Sequence, residues 1–88
     1  MRDTSVDWEL RQIHEWALRE LRLLERYSPN APAEAQPYMQ QMRAMLEDVR
    51  AEAYTARFTS EPSAKEARRL QDRASAYLRE HERGWRPG

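Results

Sequence analysis

Apolar residues recur at helical spacing in three segments of the chain. In the first segment they follow each other at steps of four, three, four, four and three residues, which forms one stripe along an α-helix. This stripe comprises Val6, Leu10, Ile13, Ala17, Leu21 and Leu24. The second segment repeats the same steps with Tyr38, Met42, Met45, Val49, Ala53 and Ala56. No stretch alternates apolar and polar residues over the length of a strand, so we predict an all-α chain.

Two breaks containing prolines, over residues 28–32 and 59–62, divide the predicted helices. Proline lacks the backbone N–H of a helix interior and clashes with the preceding turn, so neither break continues a helix. We predict helices over residues 5–27, 37–58 and 62–83.

Residues with helix-capping preferences stand at several of these boundaries. Two pairs match the capping-box pattern at helix starts. They are Thr4 with Asp7 and Ser63 with Glu66. For the third helix, a start at Ser60 with Pro62 in the first turn is equally possible. At the end of the third helix, Gly84 is the predicted C′ residue, and Trp85 is expected to fold back onto the last turn.

Three amphipathic helices joined by short breaks predict a single domain over residues 1–88, folded as an antiparallel three-helix bundle. The alternative fold is a long helical hairpin that forms a dimeric bundle with a second copy. The first helix carries ten of the 22 large apolar residues that follow Met1. It therefore lies centrally or contacts something that this chain does not supply. Met39, Met42 and Met45 are predicted to fill the core.

The residue inventory offers little for catalysis. Cysteine is absent, and the two histidines, His14 and His81, lie in no recognisable catalytic setting. On a helix Glu80, His81 and Glu82 point about 100° apart, which argues against a shared metal. We therefore expect no enzyme, no catalytic or metal-binding residues, no cofactor and no small-molecule substrate, with both histidines as half-buried packing residues.

Binding to a protein is the function that the residues favour. Trp8, Tyr54 and Phe58 point away from their helices' core stripes, and Trp16 and Leu23 flank the first stripe. Tyrosine and tryptophan often anchor interfaces. We predict these five residues as contacts with a partner protein or a second copy. The chain would then be an adaptor, regulator or small inhibitor, of the kind that phages and mobile elements encode.

Charge supports one alternative partner. The 15 basic and 15 acidic residues give no net charge, which removes long-range attraction to nucleic acid or to an anionic membrane. The third helix nevertheless carries a basic face that fits a phosphate backbone. This face comprises Lys65, Arg68, Arg69, Arg73, Arg79 and Arg83. Nucleic-acid binding is thus the alternative function, although Asp72 and Glu80 interrupt the face.

Membrane association is not expected from the sequence. No apolar run is long enough to span a bilayer, and the first residues, Met1 to Ser5, lack the apolar segment of a signal peptide. We therefore predict a cytoplasmic protein without a membrane partner.

Overall fold

A computed structural model describes residues 4–86, and of Thr4 it describes the backbone alone. Three α-helices occur within these residues, each antiparallel to the one before it, and no strand occurs among them. Helix α1 spans Thr4–Tyr27, α2 spans Gln36–Thr55 and α3 spans Lys65–His81. The predicted all-α three-helix bundle is therefore confirmed. The third helix packs within the same chain, so the bundle does not need a second copy to complete it.

The helix ends agree with the proline breaks to within three residues. Helix α2 begins with proline in its first turn, as expected, and continues as the 3₁₀ turn Ala56–Phe58. Helix α3 begins three residues later than predicted and continues as the 3₁₀ turn Glu82–Gly84. Between α1 and α2, the Gln36 side-chain amide donates a hydrogen bond to the backbone carbonyl of Ser28, at 3.2 Å. This bond joins the two sides of the first break.

The predicted caps are only partly present. The Thr4 side chain falls outside the described residues. At α3, the backbone N–H of Lys65 donates to Ser63 Oγ at 3.2 Å, but Glu66 binds Arg69 instead of reaching back to the helix start. The assignment of Gly84 as a C′ residue is wrong, because no described residue has a positive φ. The helix ends by tightening into a 3₁₀ turn, and no glycine in the left-handed conformation terminates it.

Helix α2 occupies the centre of the bundle. It packs along both neighbours, whereas α1 and α3 contact each other much less. The many apolar residues of the first helix predicted either a central position or a contact outside the chain. The central position is therefore wrong. The reason lies in α3, whose buried residues are the small Ala67 and Ala74. Small side chains let two helix backbones approach closely, and α3 packs mainly against α2.

The core is apolar throughout residues 5–86. Its fully buried side chains include Leu10 from α1 and three long side chains from α2. Those of α2 are Met42, Leu46 and Val49. Met39 is also buried and Met45 packs against the core, which confirms the core-filling prediction for the methionines. No buried side-chain nitrogen or oxygen in this part of the chain lacks a hydrogen-bond partner.

Trp85 closes the end of the bundle where α1 ends and α2 begins, which we call the closed end. Only 8% of the Trp85 surface is exposed. Its indole lines a small internal cavity, together with side chains from all three helices that include Leu24, Met42 and Leu78. Trp85 therefore does more than return to the last turn of its own helix. The next residue, Arg86, pairs with Glu82 at 2.7 Å.

Candidate interaction surfaces

Four large apolar side chains among the described residues are exposed to solvent. Trp8 is 64% exposed, Tyr54 50%, Phe58 67% and Tyr38 46%. The first three were predicted as partner contacts, and they belong to the start of α1 and the end of α2. We call this the open end of the bundle. Tyr38 lies at the start of α2, near the closed end.

An ion-pair network joins α1 to α2 at the open end. Arg57 Nε lies 3.2 Å from Asp7 Oδ1, and Arg11 Nε lies 3.0 Å from Asp7 Oδ2. Both partners of the Asp7–Arg57 pair are less than a quarter exposed, which reduces screening by water. Because Trp8 follows Asp7 and Phe58 follows Arg57, this pair holds the two exposed aromatic residues at one end of the molecule.

Three rings from the two helices form a surface cluster, which we call the aromatic patch: His14, Tyr54 and Phe58. The ring centroids of Tyr54 and Phe58 are 5.1 Å apart and those of His14 and Tyr54 are 6.0 Å apart. The Arg57 guanidinium carbon lies 5.7 Å from the Phe58 ring centroid. Tilted ring pairs and a cation near a ring face are favourable arrangements. The patch therefore presents exposed aromatic surface that its own contacts hold in place.

Trp16 and Leu23, the other two predicted contacts, lie in different surroundings. Trp16 is partly buried and packs against the core, so most of its ring is already engaged. Leu23 is partly exposed and lines a shallow depression of the α1 surface together with three arginines. The structure thus brings Tyr54 and Phe58 together, places Trp8 at the same end, and leaves Trp16 and Leu23 elsewhere.

The predicted basic face of α3 is divided by ion pairs. Arg68 pairs with Glu9 across the α1–α3 interface, and Arg69 pairs with Glu66 on its own helix. The hydrogen bond with Arg69 lowers the pKa of Glu66 and raises the pKa of Arg69. A surface depression beside this pair contains Glu52 and Glu61 as well. Phosphates placed there would meet carboxylates.

The remaining basic residues of α3 do not restore a continuous face. Lys65, Arg73, Arg79 and Arg83 are exposed and make no ion pair with residues 4–86. Arg83 shares a depression with Glu34 and Glu80 near the start of α2, at the closed end, whereas Arg68 pairs with Glu9 near the start of α1. The face that the helical spacing predicts is therefore interrupted in three dimensions.

The two histidines contact aromatic rings. His81 stacks on Tyr38 with ring centroids 4.4 Å apart, and its ring centroid is 4.3 Å from that of Tyr77. Burial, followed by the proximity of Tyr38 and Glu80, raises the pKa of Tyr77. Glu80 Oε2 approaches His81 Nε2 to 3.9 Å, although the sequence predicted that these neighbours diverge. No group of three potential metal ligands occurs among the described residues.

Sequence reasoning placed Trp85 only on the last turn of its own helix, and it missed Asp7 as the link at the open end. The spacing of charged residues gives no signal for pairs such as Asp7–Arg57, which are far apart along the chain. Trp85 did carry a signal, since a tryptophan directly after a helix often packs onto it. Its contacts with α1 and α2 required the three-dimensional arrangement.

Comparison with known proteins yields no relative for this fold. No family model matches the sequence, and no curated protein or solved structure shows significant similarity. No helix among residues 4–86 is long and apolar enough to cross a membrane.

Proposed function

We propose that this chain is a non-enzymatic protein–protein interaction module that binds its partner through the open end. The observation that carries the proposal is the exposed contact between Tyr54 and Phe58, with Trp8 at the same end of the bundle. Large aromatic side chains supply much of the binding energy at protein interfaces.

The fold itself does not require these aromatic residues to be buried. The core is filled by side chains from all three helices, and Trp85 covers its closed end. Exposing Trp8 and Phe58 to water forgoes roughly 1.5–3 kcal/mol per large apolar side chain. A partner that covers the open end would recover this free energy.

The charged residues around the patch favour a protein partner. Arg57 and Asp7 lie side by side, so the rim of the open end carries both signs of charge. A protein surface can present groups of both charges along this rim, whereas a nucleic acid offers only negative charge. The nucleic-acid alternative gains less support, because Arg68 and Arg69 of α3 already pair with carboxylates.

The proposal includes a role as an adaptor, regulator or inhibitor in the cytoplasm. A chain without cysteine folds equally well in a reducing compartment, which is compatible with this location. The partner is either a different protein or a second copy of the chain, and the solution mass separates these two cases.

The test compares Phe58→Ala and Trp8→Ala with the wild type. The matched control is Tyr38→Ala, which removes an exposed aromatic side chain near the closed end. Light scattering across a range of concentrations measures self-association, and affinity capture from extracts of the source cells measures heterologous binding. We expect the wild type and Tyr38→Ala to bind, and the two open-end variants to lose binding while their circular dichroism remains helical.

Two results would contradict the proposal. Unfolding of Phe58→Ala would assign this residue to the core instead of to an interface. Equal binding by all four proteins would place the interface somewhere else on the molecule.

A further inference from the structure

The second half of α1 carries a surface that the proposed function leaves unused. Arg19, Arg22, Leu23 and Arg26 line a shallow depression on its solvent face, and we call these four residues the Leu23 patch. All three arginines are exposed, and Leu23 is partly exposed. Positions 19, 22, 23 and 26 fall on one side of a helix, because at about 100° per residue they span only about 100° of its circumference.

The fold separates charges that are mixed in the sequence of this helix. Glu20 lies beside the Trp85 cavity near Arg86 and is not among the residues that line the depression, although Leu23 borders both. None of Arg19, Arg22 and Arg26 makes an ion pair with residues 4–86. Three other surface depressions and the Trp85 cavity each contain at least one glutamate, and the Leu23 patch contains none. The side chains that line this depression therefore carry only positive charge.

The spacing of the three arginines matches the spacing of carboxylates on another helix. Residues 19 to 26 extend over about 10 Å along the axis, at roughly 1.5 Å per residue. Glutamates at positions i, i+3 and i+7 of a facing helix cover the same length. Guanidinium groups bind carboxylates through two parallel hydrogen bonds, and Leu23 offers an apolar contact between them. We propose that the Leu23 patch docks an acidic amphipathic helix of a protein partner.

The borders of the patch favour a helix over a nucleic acid. Glu15 and Glu25 are exposed and lie within one turn of Arg19 and Arg22. A phosphate backbone would be repelled by both carboxylates, whereas a protein helix can place lysine or arginine opposite them. Leu23 at the centre also suits an apolar side chain better than a phosphate. The expected partner helix therefore carries acidic residues opposite the three arginines and basic residues opposite Glu15 and Glu25.

This surface is separate from the open end, so the Leu23 patch and the proposed open-end interface can be tested independently. The aromatic patch joins the beginning of α1 to the end of α2, whereas the Leu23 patch lies on the second half of α1 alone. Replacement of Phe58 is therefore expected to leave binding at the Leu23 patch unchanged.

The test uses a fluorescent helical peptide with glutamates at i, i+3 and i+7 and a leucine between them. Fluorescence anisotropy at low salt measures its binding to the full chain. Arg22→Glu is expected to weaken binding about tenfold or more, because it places like charges opposite each other. A second peptide, with lysine replacing the central glutamate, is expected to restore binding to Arg22→Glu. Leu23→Ala tests the apolar contact and is expected to weaken binding by a smaller factor.

Arg43→Glu is the matched control, since Arg43 is an exposed arginine of α2 without an ion pair to the described residues. An equal loss of peptide binding in this control would overturn the proposal, because it would indicate general charge attraction. Should Arg22→Glu fail to fold by circular dichroism, Arg22→Gln provides the same comparison without a new charge.

A duplex DNA of random sequence is the competing probe. Binding of DNA with loss in Arg22→Glu, and without binding of the peptide, would replace the acidic helix with a nucleic acid. Failure of both probes to bind at low salt would also overturn the proposal. Peptide binding that survives in Phe58→Ala would support the Leu23 patch even if the open end has no partner.

Discussion

The two ends of the bundle treat their aromatic residues in opposite ways. At the closed end Trp85 is 8% exposed and lies among side chains from all three helices. At the open end Trp8 is 64% and Phe58 67% exposed. Each end contains one tryptophan, and the composition of the chain does not distinguish Trp8 from Trp85. The difference indicates that one end contributes to the stability of the fold, while the other keeps apolar surface available for contacts.

The largest expected effect is the loss of stability in Trp85→Ala. Removing a buried aromatic side chain leaves a cavity and typically costs about 3 kcal/mol or more of unfolding free energy. Urea unfolding monitored by circular dichroism measures it. Trp8→Ala is the control at the open end, and its unfolding free energy is expected to stay within about 0.5 kcal/mol of the wild type. Similar losses in the two variants would remove the distinction between the ends.

A smaller effect is expected from Phe58→Ala at the open end. This change removes the Tyr54 ring contact and the Arg57 interaction, which together contribute about 1 kcal/mol. Thermal unfolding monitored by circular dichroism measures the loss. Phe58→Leu, which retains apolar surface without the ring, is the control. A loss as large as that of Trp85→Ala would show that the open end also belongs to the core.

Gly84→Ala tests the closed end by an expected gain in the free energy of unfolding, whereas Trp85→Ala tests it by a loss. Gly84 has no positive φ, and an added Cβ would lie 3.7 Å from the Ala35 Cβ, an ordinary contact distance. Alanine reduces the freedom of the unfolded chain, so we expect about 0.5 kcal/mol of added stability. Chemical denaturation measures this gain. A loss of stability in Gly84→Ala, with Gly84→Asn better tolerated, would instead indicate a left-handed residue at this position.

The smallest effect concerns the tyrosines at alkaline pH. Burial raises the pKa of Tyr77, with added contributions from Tyr38 and Glu80, so folding favours its neutral form. This stabilisation is fully present below the unfolded pKa of about 10 and is lost as the pH rises through the folded value. Unfolding free energies on either side of pH ~10 measure it. Tyr77→Phe is expected to lose less stability at high pH than the wild type, and Tyr54→Phe is the control at the open end. An identical pH dependence in Tyr77→Phe would contradict this assignment.

Helical periodicity and proline placement predicted most of the fold. The breaks around Pro29, Pro32 and Pro62 divide the chain where the structure divides it, because proline removes a helix donor wherever it stands. The position of each helix in the bundle was less predictable. A count of apolar residues favoured a central position or an external contact for α1, whereas α2 is central and α3, with the small Ala67 and Ala74 as its buried residues, packs mainly against it. Packing shape decides this arrangement, and apolar count alone does not reveal it.

Exposure of the candidate residues was predictable from the helical faces, whereas their grouping was not. Trp8, Tyr54 and Phe58 lie on the faces that helical geometry assigns to them. Trp16 does not fit this group, since its flank of α1 packs against the core. The Asp7–Arg57 pair joins residues that are 50 positions apart, so no local pattern announces it. Local spacing predicts which face of a helix a residue occupies, but contacts between distant segments determine which residues share one surface.

The elongated shape of the bundle affects how its solution mass must be measured. Its extents are 50 × 19 × 18 Å, so the molecule is more than twice as long as it is wide. A rod of this shape experiences more friction than a sphere of equal volume, and it migrates through a gel-filtration column ahead of compact proteins of its own mass. A monomer calibrated against globular standards would therefore be read as a larger species. Scattered light reports mass independently of friction, and the ratio of the two values measures the elongation itself.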